Sequence, residues 1–124
     1  LSSQTDISGI LSTLDVFVHP ATFREGFGLS MLEAMVAKIP VIASNIWAIN
    51  SLIRNRVNGF LVEPKNANEL AETIRFVMDN QEIAGSVAQN AFQMASELYS
   101  VDRLAAELET VYEEVLAEKN GKRP

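Results

Sequence analysis

Two short apolar runs do most to limit what this chain can fold into. "DVFVHP" at residues 15–20 and "IPVIAS" at residues 39–44 string apolar positions together without polar alternation. A strand with one wet face alternates, whereas a strand covered on both faces does not need to. Pro20 stops the first run, and Ser44-Asn45 stops the second. Between them lies "LSMLEAMVAK", where Met31, Leu32, Met35 and Val36 recur at helical spacing. Strand, helix and strand in that order, with both strands fully apolar, predict an α/β fold built on a parallel sheet with flanking helices.

The rest of the chain extends that pattern and then abandons it. "DISGILSTL" predicts a short amphipathic helix through Ile7, Ile10, Leu11 and Leu14, capped by Asp6 or Ser8. "NIWAINSLIRN" reads as a loop plus a short helix. "VNGFLVEP" reads as a third short strand entered through an Asn58-Gly59 turn. Asn66 and Glu69 form a capping box for a helix running to about Asp79. "EIAGSVAQNAFQMASELY" is a further helix, weakened by Gly85. Ser100 caps a last helix with an apolar stripe of Val101, Leu104, Leu108, Val111, Val115 and Leu116. The second half is thus helical only. Three strands are too few to bury both faces and both edges of such a sheet, so further strands are expected upstream of residue 1. The start, mid-pattern and without an initiator Met, likewise suggests part of a longer chain.

Composition excludes several functions. A net charge of −6 argues against a general nucleic-acid binder, which needs a basic face. With no cysteine and one histidine, disulfides and thiolate metal sites are ruled out, and no metal site is expected. The lack of cysteine fits a reducing compartment. Pro40, Glu33 and Lys38 interrupt the longest apolar stretch, so nothing reaches membrane-spanning length.

The chemistry concentrates in "REGFGLSMLEAM" at residues 24–35. In open parallel sheets ligands bind at the carboxyl ends of the strands, where this segment begins. Gly26 and Gly28 let backbone approach a ligand closely. The helix starting near Leu29 offers free N–H groups and the positive end of its dipole, which suit a phosphate. Glu25 before the turn and Glu33 one turn into the helix suit hydroxyl groups instead. Phosphate flanked by two polyols describes a nucleotide-sugar. A plainer reading stands beside it. Ser30 and Glu33 spell a capping box, and Glu25 reads equally as a solvated loop charge. His19 reads as a crevice residue or as packing. Trp47 reads as core, as interface or as a crevice wall.

"DVFVHPATFREGFGLSMLEAMVAKIPVIASN" followed by "NGFLVEPKNANELAETI" resembles the C-terminal donor-binding domain of retaining GT-B glycosyltransferases, the glycosyltransferase 4-like (GT4, group 1) family. "YSVDRLAAELETVYEEVL" is similar to that family's closing helix. The hallmark is a glutamate, seven residues and a second glutamate, met here by Glu25 and Glu33. The resemblance implies a Rossmann-like half of a GT-B fold over residues 1–118, with residues 119–124 as a frayed basic tail. It implies that Glu25 lies at the donor sugar and is the catalytic candidate, and that Glu33 binds the nucleotide ribose. Gly26, Phe27, Gly28 and Leu29 would face sugar and diphosphate through their backbone. No metal and no cofactor beyond the nucleotide-diphosphate-sugar are implied. The active site would lie between this domain and an upstream N-terminal acceptor domain. The whole protein is then expected in the cytoplasm, peripheral at the membrane's cytoplasmic face, in polysaccharide or glycolipid synthesis. The chain alone is expected to be inactive and to self-associate, or to need a partner that supplies the rest.

Three departures set it apart from the family pattern. The loop from Pro20 to Glu25 is one residue longer than usual, and "AKIP" replaces a glycine-containing stretch. In the segment after the second strand, Asn45 replaces an acid, Trp47 and Ala48 replace glycines, and Ser51 replaces a glutamate. These changes keep an alternative open, a degenerate non-catalytic GT-B-like domain acting as a scaffold or interaction module. A sugar-nucleotide epimerase of the same fold matches less well. A receiver-like signalling domain would need an acidic cluster at strand ends, where this chain has His19-Pro20 and Ser44-Asn45.

Overall fold

The computed structural model describes residues 7–22, 29–98 and 100–121. Glu25, Gly26, Phe27 and Gly28, the Asp6 cap and residues 122–124 lie outside the described residues. The elements are α1 (Ile7–Leu11), β1 (Phe17–His19), α2 (Leu29–Val36), β2 (Val41–Ser44), α3 (Trp47–Asn50), β3 (Phe60–Val62), α4 (Ala67–Asp79), α5 (Gln81–Leu98) and α6 (Val101–Gly121).

The three strands form a parallel sheet in the order β1-β2-β3, so the α/β expectation holds. Val18 pairs with Ile42, and Ser44 pairs with Val62. All four residues of β2 are buried, as its unbroken apolar run requires. Its side chains alternate between two cores. Val41 and Ala43 pack with Met31, Leu32, Ala34 and Met35 of α2, Ile49 of α3, and Ala91 and Ala95 of α5. Ile42 packs on the other face with Phe60, Val62, Val77 of α4, and Ala84 and Val87 of α5. The two halves of α5 thus serve opposite faces of the sheet.

One predicted core residue is displaced. Val36 is 52% exposed, and Ala34 takes its place against the sheet, fully buried. The contact face of α2 follows positions 31, 32, 34 and 35, which lets a small residue sit at the closest approach of helix and strand. Lys38 then ends the helix in the left-handed region at φ 60°, a position glycine often fills. Its ammonium lies 4.6 Å from the centre of the Phe92 ring on α5, tying the two helices together.

The turn into β3 differs from the Asn58-Gly59 expectation. The left-handed residue is Arg56, at φ 67°, and its N–H donates to Gly59 O at 2.7 Å. Asn58 is instead a buried hub. Its Oδ1 accepts from Arg54 N–H at 2.7 Å, while its Nδ2 donates to Leu52 O at 3.1 Å and lies 2.9 Å from Met94 Sδ. Gly59 is needed for space rather than for φ, since a Cβ there would sit 2.9 Å from Ile53 Cγ2.

The α4 cap forms as predicted: Asn66 Oδ1 accepts from Glu69 N–H at 3.1 Å. Glu69 Oε2 accepts in return from Asn66 Nδ2 and from Glu63 N–H. Gly85 does not break α5, because nothing crowds it and the helix packs on both sides of it. Helix α6 continues through Gly121, so residues 119–121 of the segment read as a frayed tail are helical, with Lys119 in the last turn where a cation favours the dipole. Val111, Val115 and Leu116 of its apolar stripe are about half exposed, and Tyr112 is 71% exposed.

Candidate functional site

The carboxyl ends of β1 and β2 and the N-terminal end of α2 meet at one edge of the molecule, as a parallel sheet dictates. His19, Ser44 and Val62 are the last residues of the three strands. Leu29 opens α2 and is 65% exposed there. Glu33 follows one turn later and is half-buried.

The capping-box reading of Glu33 fails on geometry. Ser30 already lies inside the first turn of α2, because the helix begins at Leu29. No hydrogen bond joins Ser30 and Glu33, and the Glu33 carboxylate has no partner among the described residues. A carboxylate held on a rigid helix without an internal partner is free to accept hydrogen bonds from a ligand.

The segment after β2 is where the sequence departs most from the pattern it resembles. Asn45 N–H donates to Val62 O at 2.7 Å, and Asn45 Nδ2 donates to Glu63 Oε1 at 3.2 Å. Asn50 Nδ2 completes the chain by donating to Asn45 Oδ1 at 3.2 Å. Asn45 therefore ties the ends of β2 and β3 together, a neutral job for which an amide serves better than an acid beside Glu63. Trp47 opens α3 and is 79% exposed, which excludes the core reading. His19 is half-buried at the end of β1, in register with Ala43. Among the described residues no cluster of three His, Cys, Asp or Glu side chains is placed to hold a metal. No helix of the described residues is long and apolar enough to cross a membrane.

The profile of the glycosyl transferases group 1 family matches residues 1–94. The chain belongs to that family. It is 30% identical over 118 residues to the capsular polysaccharide biosynthesis glycosyltransferase CapM of Staphylococcus aureus, covering 95% of this chain and 31% of that protein. It is 29% identical to the N,N'-diacetylbacillosaminyl-diphospho-undecaprenol alpha-1,3-N-acetylgalactosaminyltransferase of Campylobacter jejuni, covering 94% of this chain and 30% of that one. Anabaena HepE, solved in complex with UDP-glucose, superposes with a TM-score of 0.87 at 28% identity, covering 92% of this chain and 31% of that chain. The chain thus spans under a third of the length of these group 1 relatives.

Sequence reasoning located α2 and Glu33. It could not foresee that Asn45 and Glu63 bind the strand ends together, because that bond joins residues 18 apart in the chain. The cue it did have was the replacement of an acid by Asn45.

Proposed function

We propose that the whole protein transfers a sugar, with retention of configuration, from a nucleoside-diphosphate sugar, and that this chain supplies part of its donor site. The observation that carries the reading is Glu33: half-buried, one turn into α2, at the carboxyl edge of the sheet, with no side-chain partner among the described residues. Group 1 membership and the likeness to a UDP-glucose complex support it. In this reading Glu33 accepts hydrogen bonds from the ribose hydroxyls. Leu29 and the preceding Gly26, Phe27 and Gly28 turn backbone N–H groups toward the diphosphate and sugar, where the α2 dipole favours negative charge. Glu25 touches the donor sugar and is the catalytic residue. Donor binding needs neither metal nor cofactor. The acceptor domain lies upstream, and the protein works in the cytoplasm, peripheral to the membrane's inner face. No observation favours the scaffold alternative.

The test is Glu33→Gln in the whole protein. Loss of charge-assisted hydrogen bonds to the ribose should weaken nucleotide-sugar binding by roughly 1.5–3 kcal/mol, with the melting temperature held. Titration calorimetry and thermal melts on the same variant decide. Unchanged affinity with a lower melting temperature would refute the assignment.

A further inference from the structure

At the entry to β3 the fold makes two demands on neighbouring residues, and together they create a reactive pair. Position 58 needs a carboxamide, because Asn58 Oδ1 accepts from Arg54 N–H at 2.7 Å and Nδ2 donates to Leu52 O at 3.1 Å. A carboxylate lacks that donor, and an aliphatic side chain lacks both groups. Position 59 needs a residue without a side chain, because a Cβ there would lie 2.9 Å from Ile53 Cγ2, and Ile53 is 1% exposed. A carboxamide thus stands one residue before the least hindered backbone nitrogen that a chain can offer.

Such a pair can react with itself. The Gly59 nitrogen attacks Cγ of Asn58, and a new C–N bond closes a cyclic imide. The bond from Cγ to Nδ2 breaks, and Nδ2 leaves as ammonia with the proton that the Gly59 nitrogen gives up. Water then opens the imide at either carbonyl. One opening leaves aspartate at position 58. The other leaves an isoaspartyl linkage, in which the main chain runs through the former side chain. The balance is carboxamide plus water to carboxylic acid plus ammonia, with nothing oxidised or reduced.

The folded chain blocks the first step. Both partners of the carboxamide precede Asn58 in the chain, so turning Cγ toward the Gly59 nitrogen breaks both bonds. The turn around it is held as well. Val57 N–H donates to Arg54 O at 3.0 Å, Arg56 N–H donates to Gly59 O at 2.7 Å, and Asn90 Nδ2 of α5 donates to Val57 O at 2.9 Å. Asn58 is 6% exposed, which also keeps out the water that would open the imide. The same dipeptide recurs as Asn120-Gly121 without this protection. There both residues are exposed, they lie in the last turn of α6, and nothing stands within 4 Å of a Cβ on Gly121.

We propose that Asn58-Gly59 is a latent self-modification site, which the native fold holds closed, unfolding opens, and reaction then locks against return. Aspartate at position 58 would put a carboxylate where a neutral group is buried and leave Leu52 O without its donor. The isoaspartyl form lengthens the main chain by one carbon just before β3. Gly59 forms a bridge with Asn55 there, and Phe60 pairs with Ile42, so the extra atom disturbs the register of the sheet. Either product turns a reversible unfolding into an irreversible one.

Incubating the whole protein in mildly alkaline buffer, with and without urea, tests this by peptide mass mapping and isoaspartate analysis. Asn58 should react at least about a hundredfold more slowly in the native protein than in urea, because its reaction then follows the small unfolded population. Asn120 should be slowed by less than about tenfold, since exposed residues at an element's end open locally. A second measurement reads the lock. After dilution from urea, size-exclusion chromatography separates refolded from unfolded or aggregated protein. Modified residue 58 should be confined to the fraction that fails to refold, while modified residue 120 should appear in both. Comparable rates for Asn58 in the two buffers would overturn the proposal. So would protection of Asn120 as strong as that of Asn58, or modified residue 58 appearing as often in the refolded fraction.

Discussion

Asn58→Ala should be among the most damaging polar substitutions in this chain. Asn58 is 6% exposed and holds three contacts at once, to Arg54 N–H, Leu52 O and Met94 Sδ. The two bonds to backbone are worth about 0.5–1.5 kcal/mol each in net stability. Removing the side chain also leaves Arg54 N–H and Leu52 O without that partner in a part-buried turn, at about 1 kcal/mol or more. The total is about 2–4 kcal/mol, a large fraction of the stability of a small domain. Urea denaturation with linear extrapolation measures it, and at this chain length the melting temperature should fall by roughly 10 °C. Asn90→Ala is the control. Its Nδ2 also donates to the same turn, to Val57 O at 2.9 Å, but at the surface, so its loss should cost under about 1 kcal/mol. Equal losses from the two variants would refute the reasoning, because burial would then not be what gives Asn58 its weight.

Two glycines give opposite expectations that the same denaturation assay checks. Gly85→Ala should stabilise the chain by about 0.5–1 kcal/mol, since it lies inside α5 with nothing within 4 Å of the added Cβ. Gly59→Ala should cost about 1–3 kcal/mol, since its Cβ would fall 2.9 Å from the buried Ile53 Cγ2 and Ile53 is 1% exposed with no room to yield.

The strands and helices were legible because their signals are local. An unbroken apolar run such as "IPVIAS" needs cover on both faces, and β2 has it. The Asn66-Glu69 cap was legible for the same reason, because both partners lie within one turn. The Ser30-Glu33 pair carries the same local signature and does not form a cap. The difference is where the helix starts: α2 begins at Leu29, before Ser30. The sequence marked Glu33 as a residue of interest, but only its place inside a helix that already begins at Leu29 shows that it does not form the cap.

By itself the sequence determined a parallel α/β sheet and the order of its elements, and it marked α2 with Glu33 one turn inside it. These follow from periodicity and spacing, which a chain carries along its own length. Only the tertiary structure decided that Asn58 is a buried hub rather than a turn residue, and that Ala34 rather than Val36 meets the sheet. It alone brought Ser44 into the lining of one cleft with Val62 and Leu70. Those outcomes depend on residues far apart in the chain being brought within a few ångströms. A hydroxyl, an amide or a methyl group takes its energetic meaning from the partner that packing puts beside it.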